Sequence, residues 1–282
     1  MYTNPRKGVP NFRDSVDDAF DFAATAVKLY QGGNVNALRA SNFLFTEATA
    51  GLAIRNLAGV AAMSAYQGIV TNMKEQVQGG EVMFSCGFSM MKSEPMTYPN
   101  GQVFFWEKNS QYQEQADDAY FSCRDGTIDE DGLSIDAYTL DWPDPTKPQI
   151  IRFCPVFLSQ IAKQRWSSSQ QIHAAWLVDI PPEVAIILAK QAATPIDLYG
   201  LLELAILHEL THTRQGGNTE DYGSPNVKQV GGSGWLYATS VGLNRGYNNA
   251  ESVAFQGLLS KLIQLGFGVD QNGYLFQLEA PI

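Results

Sequence analysis

Histidine is scarce in this chain: of 282 residues only His173, His208 and His212 are histidines, and two of them stand four apart. Cysteine is equally rare. Cys86, Cys123 and Cys154 permit one disulfide with a thiol left over, or three free thiols in a reducing compartment. Positive charge is short too, 19 Lys and Arg against 29 Asp and Glu, for a net charge of −10. With no basic patch to offset it, that balance argues against nucleic acid as a partner and favours encounter with cationic substrates. No apolar run is long enough to span a bilayer, so no membrane partner is expected either. The opening MYTNPRKGVPNF lacks an apolar signal core, so Met1 either starts a cytosolic protein or replaces a removed leader. The remainder is ordinary. A hydrophobic content of 45% and a charged content of 17% describe a folded chain, long enough for one large or two small domains with a substantial core.

Along the chain the texture runs from helical to strand-like and back. Val16, Phe20, Ala23, Val27 and Tyr30 follow an acidic start at helical spacing over residues 14–30, and Gly32-Gly33-Asn34 ends that stretch. Residues 35–77, rich in Ala, Leu and Met, read as two helices. After Gly79-Gly80, residues 81–154 hold short aromatic and β-branched segments, EVMFSCGFSM, QVFFWE, AYFSC, LSIDAYTL and QIIRFC. Turn clusters at Pro99-Asn100-Gly101, Arg124-Asp125-Gly126 and Pro143-Asp144-Pro145 separate them, as in a set of hairpins. Asp129-Glu130-Asp131 does not have the spacing of a calcium loop and reads as a solvated turn. Residues 155–193 return to helix; His173 within it, in QQIHAAWLV, reads as a structural histidine.

Thr194 to Gly217, TPIDLYGLLELAILHELTHTRQGG, reads as one buried helix. Thr194 suits the N-cap, Pro195 the first helical position, and Asp197 can complete a capping box. Leu198, Leu201, Leu202, Ala205, Ile206, Leu207 and Leu210 leave almost no polar face, and Gly216 or Gly217 can end it. Residues four apart share a face roughly 6 Å apart along the axis, so His208 and His212 can offer ring nitrogens to one metal ion, expected to be zinc. Glu209 is rotated by about 100° from His208, so it suits a general base acting on a water and not a ligand. The bland alternative is two core histidines beside an exposed glutamate. With so few histidines in the chain, a chance H-E-x-x-H is on the order of one percent or less.

Two histidines hold zinc poorly, so a third protein ligand is expected. After the glycine pair the chain runs Asn218-Thr219-Glu220-Asp221-Tyr222-Gly223, which can return Glu220 or Asp221 to the metal on a short loop, or be a plain polar turn. Glu251, in the probable helix YNNAESVAFQGLLSKLI, is the competing ligand; failing that, it suits a role orienting a histidine.

The run from His208 to Gly223 resembles the deuterolysin-like zinc peptidases, or aspzincins, which join H-E-x-x-H to G-T-x-D-x-x-Y-G. His208, Glu209 and His212 match in place, and Thr219-Glu220-Asp221 and Tyr222-Gly223 match in a loop shortened by two residues, with Asn218 inserted. Asn248-Asn249-Ala250-Glu251-Ser252 is similar to the family's N-A-D-x-Y, with Glu for Asp and Val253 where Tyr is usual. Ala137-Tyr138-Thr139 and Ile150 to Pro155 resemble the segment leading to a half-cystine strand. The likeness covers roughly residues 120–265.

The resemblance implies Asp221 as the third zinc ligand, Tyr222 as a helper at the transition state, and a secreted protein. It also points to Cys123–Cys154 as the bridge, with Cys86 free. The expected architecture is α+β and zincin-like, the H-E-x-x-H helix lying beside a small, mainly antiparallel sheet with additional N-terminal helices. Residues 1–80 would form a helical part packed on a catalytic domain of residues 81–282. The expected function is a monomeric zinc endopeptidase acting on peptides or proteins with Glu209 as general base. The shortened loop and the missing tyrosine after Glu251 leave one alternative, a protein that binds or scavenges zinc without turnover.

Overall fold

In the computed structural model the described residues are 12–63, 82–88, 91, 94–106, 113–126, 136–140, 148–163, 169, 174–178, 180, 184, 186, 188, 193–222 and 234–279. Asp129-Glu130-Asp131, Pro143-Asp144-Pro145, His173, Gly79-Gly80 and Gly223 lie outside them, as does the part of the expected helical stretch 35–77 beyond residue 63. The class is α+β, helices with small, mostly antiparallel sheets. Contacts divide the chain into one unit on Met63–Ile161 and another on Pro5–Ala62 together with Ala162–Ile282. This division runs differently from one at residues 80 and 81: the N-terminal helices share a unit with His208 and His212.

The helical unit begins with α1 (Phe12–Gln31), whose Val16, Ala19, Phe22, Ala23, Ala26 and Leu29 are buried at helical spacing. Gly33 turns the chain at φ 67°, and Asn34 caps α2 (Val35–Ser41) by accepting from the Ala37 N–H at 3.0 Å. Next comes α3 (Glu47–Ala62). Further on, α6 (Ala174–Val178), α7 (Leu201–His212), α8 (Trp235–Ser240) and α9 (Ala250–Gln264) follow, and the hairpin β7 (Phe267–Val269) and β8 (Leu275–Gln277) closes the unit. Helix α1 packs on α3, α7 and α9, and α7 packs on α9, so the H-E-x-x-H helix lies among helices of its own unit. In α9 nearly every residue is buried, Glu251 and Ser252 included.

The other unit holds β1 (Val82–Cys86), β2 (Met96–Thr97), β3 (Val103–Trp106), β4 (Gln113–Gln115), α4 (Asp118–Asp125), β5 (Ala137–Leu140), β6 (Gln149–Phe153) and most of α5 (Pro155–Lys163). Strands β2, β3 and β4 form an antiparallel sheet. In the second sheet, β6 lies between β1, which it meets in parallel, and an antiparallel β5. The segment AYFSC is helical and not a strand. Asp117 caps α4 by accepting from the Tyr120 N–H at 2.9 Å, and Gly126 ends it left-handed at φ 66°. Cys123 and Cys154 form a disulfide, and Cys86 remains a thiol. Beneath the sheet, the buried Arg152 guanidinium meets Glu114 at 2.8 Å and donates to Ser85 Oγ at 3.0 Å and the Gly87 carbonyl at 2.7 Å. No helix among the described residues is long and apolar enough to cross a membrane.

Candidate metal centre

The stretch 194–217 is two helices, not one. Thr194 and Asp197 form the expected capping box, but on a single 3-10 turn, Pro195–Leu198. Gly200, at φ 65°, then breaks the path before α7 starts. The break leaves α7 buried all round, with Leu202, Leu204, Ile206, Leu207 and Leu210 in the core. His212 is its last residue, so Thr213 to Gly217 belong to the turn beyond the helix and not to its final helical turn.

That turn aims the next candidate ligand. Thr213 donates through its hydroxyl to the Leu210 carbonyl at 2.6 Å and accepts from the Gly216 N–H at 3.0 Å. A Cβ on Gly216 would overlap the Leu210 carbonyl, and Gly217 adopts φ 106°, so both positions need glycine. Asn218 follows at φ 49°, in the left-handed region where asparagine is best tolerated after glycine. The chain then runs back along the helix end, with the Thr219 N–H donating to the Thr211 carbonyl at 3.2 Å and the two threonine hydroxyls 2.8 Å apart. Glu220 is stapled to the start of α9: its N–H donates to the Asn248 carbonyl at 2.8 Å, and its own carbonyl accepts from the Ala250 N–H at 3.1 Å. Asp221 emerges next, facing the histidines.

Three potential ligand atoms converge. His208 Nε2 lies 3.2 Å from His212 Nε2 and 3.2 Å from Asp221 Oδ1, and His212 Nε2 lies 3.4 Å from the same oxygen. Donor atoms bound to one tetrahedral zinc at about 2.0–2.1 Å stand about 3.3–3.4 Å apart, so this near-equilateral triangle fits the ion and leaves its fourth position open. Among the described residues, His208, His212 and Asp221 are the one group of three potential ligands so gathered. Glu220 and Glu251 are not part of it.

The outer ring nitrogens are held as well. His208 Nδ1 meets Glu251 Oε2 at 2.8 Å, and His212 Nδ1 meets the Thr219 carbonyl at 2.7 Å. A carbonyl only accepts, so Nδ1 of His212 carries a proton, which leaves Nε2 as the atom that can offer a lone pair to a metal. The carboxylate of Glu251 sets the same orientation for His208. Such partners fix the tautomer and ring angle of a metal-binding histidine. Glu251 is itself anchored by the Gly234 N–H, which donates to Oε1 at 2.6 Å.

The charges favour a cation here. Desolvation works to lower the pKa of His208, yet its bonds to Asp221 and Glu251 raise it well above the ordinary value. For His212 desolvation is likewise outweighed, by the bond to Asp221 and the charge of Glu209. Desolvation would raise Asp221, but the two imidazoles hold it well below the usual carboxylate range. Carboxylates around two imidazoles thus stabilise positive charge, whether a proton or a metal carries it. Glu209 is buried beside the pair.

Tyr222 sits at the rim of the loop. Its phenol oxygen accepts from Asn248 Nδ2 at 2.8 Å, its N–H donates to Asn249 Oδ1 at 3.3 Å, and Arg245 lies over its ring. Thr219 and Gly234 acquire roles that spacing alone does not reveal, since both act through backbone atoms. The only sequence signal for Thr219 is its place two residues before Asp221. Comparison of the chain with family models, with curated proteins and with solved structures finds no match.

Proposed function

We propose that the chain is a zinc-dependent endopeptidase of zincin-like architecture, related in its site to the deuterolysin-like peptidases. The observation that carries this reading is the triangle of His208 Nε2, His212 Nε2 and Asp221 Oδ1 next to the buried Glu209. Bound there, zinc would polarise a peptide carbonyl and bring the pKa of a water towards neutrality. Glu209 would take the proton of that water as its oxygen bonds to the carbonyl carbon. The same residue then passes the proton to the leaving nitrogen as the C–N bond breaks. Glu251 and the Thr219 carbonyl hold the imidazoles so that neither has to reorient. Tyr222 serves as a hydrogen-bond donor, because Asn248 occupies its oxygen as an acceptor and leaves the O–H to point elsewhere. Substrates are peptides or proteins. The Cys123–Cys154 bridge supports action in an oxidising, extracellular setting.

Glu209→Gln tests the reading. It keeps size and hydrogen bonding but cannot accept the proton, so zinc content measured by elemental analysis should stay at wild-type level. Casein hydrolysis should fall by roughly 10²–10⁴-fold. Replacement of both His208 and His212 by Ala should remove the zinc. A zinc-loaded wild type that cleaves no protein or peptide would instead make this a zinc-binding protein without turnover.

A further inference from the structure

We propose that Asp197 is a positioning residue of the candidate metal centre: by way of the Gly234–Trp235 backbone it holds the Glu251 carboxylate on His208 Nδ1. The inference rests on the zinc reading of that centre and draws into it a turn that lies ahead of the H-E-x-x-H helix.

Asp197 does more than cap. In the 3-10 turn Pro195–Leu198 its Oδ2 accepts from the Thr194 N–H at 2.6 Å and from the Thr194 hydroxyl at 2.8 Å, which completes the capping box. Its Oδ1 accepts from the Trp235 N–H at 2.7 Å, a residue 38 positions away that no cap requires. The N–H one residue earlier, that of Gly234, donates to Glu251 Oε1 at 2.6 Å, and Glu251 Oε2 meets His208 Nδ1 at 2.8 Å. Successive backbone N–H groups thus end on different carboxylates, one anchored in the turn and the other on His208. Burial raises the pKa of Asp197 against the pull of the Thr194 and Trp235 bonds, and the charge of Glu251 adds to the rise. The two acids therefore sense each other across this segment.

The segment between them has no slack. Gly234 sits at φ 98°, a conformation that residues with a Cβ rarely adopt, and Trp235 is fully buried. The Trp235 indole N–H donates to the Gln271 carbonyl at 3.1 Å, and its ring meets Phe43 and Phe255 edge-on, with centroids 6.0 and 5.6 Å apart. Phe255 stands one helical turn after Glu251 on α9, so the indole packs on the face of α9 that carries Glu251. Without the Asp197 carboxylate, the buried Trp235 N–H loses its acceptor and must shift to recover one. Gly234 shifts with it, Glu251 Oε1 loses its anchor, and Oε2 no longer fixes the ring of His208. Loss of the Thr194 hydroxyl does none of this, because its bond ends on the other oxygen of Asp197.

The test measures the zinc affinity of the full chain by competition against a chelator. Asp197→Ala should raise the zinc Kd by about tenfold or more, the scale expected of a group that orients a ligand. Thr194→Ala breaks the capping box but leaves Oδ1 on Trp235, so its Kd should stay within about twofold of wild type. Because Asp197 acts through Glu251, its removal should add little once Glu251→Gln is present, and the double variant should bind zinc within about twofold of Glu251→Gln alone. A full loss from Asp197→Ala in both backgrounds, an equal loss from Thr194→Ala, or no loss from Asp197→Ala overturns the assignment and leaves the zinc reading intact. A wild type that binds no zinc overturns both. If Asp197→Ala does not fold, hydrogen exchange of the wild type decides. Zinc should slow the Gly234 and Trp235 amides more than those of α1, and equal slowing overturns the assignment.

Discussion

Asp221 and Glu251 are two carboxylates with different work. Asp221 Oδ1 stands 3.2 and 3.4 Å from the two Nε2 atoms, whereas Glu251 reaches only the far nitrogen of His208. Asp221→Asn should therefore cost zinc affinity far more than Glu251→Gln, for which about 10–100-fold is expected of a partner that orients a ligand. Competition against a chelator gives the order directly, and the reverse order would make Glu251 the ligand. Much of this site is legible in the sequence because its geometry is local. Four residues of helix place His208 and His212, and a glycine pair allows the short return to Asp221. The support of the histidines is not legible. Thr219 acts through its carbonyl, and Glu251 arrives from a helix whose packing no spacing reveals.

At the scale of elements, α7 is held by a buried acid as well as by leucines. Glu203 accepts from Ser15 Oγ of α1 at 3.0 Å and from the Ser169 N–H at 3.2 Å. Burial lifts its pKa to about 7, the bonds from Ser15 and Ser169 only partly opposing it. A carboxyl with a raised folded pKa holds a proton that the unfolded chain releases. Stability is thus full below about pH 4 and declines as pH rises through about 7. Integrated over that range the loss is about 3 kcal/mol. Urea titrations of wild type and Glu203→Gln should agree at pH 4, with the variant more stable at pH 8; equal stability at pH 8 would show that Glu203 carries no such penalty. The same scale shows what composition hides. Aromatic content points AYFSC towards strand, but the Asp117 cap and Gly126 make it helix. Gly200 interrupts a run that apolar content alone carries straight through. Parallel pairing of β1 with β6 depends on residues far apart in sequence, which no local pattern encodes.

For the whole molecule, the two units carry different loads. The helical one holds the histidines, Asp221 and Glu251, and the other is closed by the Cys123–Cys154 bridge. A bridge spanning 31 residues restricts the unfolded chain by about 3–4 kcal/mol. Cys123→Ser should lower the denaturant midpoint of the sheet unit accordingly, read by hydrogen exchange of the β6 amides, and leave zinc content untouched. Loss of zinc in that variant would tie the centre to the other unit. The surplus of acid over base suits an encounter with cationic peptides, an effect that added salt should weaken. All of this depends on one ion in one place. Crystals of the zinc-loaded chain, measured on both sides of the zinc absorption edge, test it most directly. The account predicts a single anomalous peak per chain, about 2.0–2.2 Å from His208 Nε2, His212 Nε2 and Asp221 Oδ1, with Glu251 on His208 Nδ1. A peak ligated by Glu251 in place of Asp221, or no peak between the histidines, would contradict it.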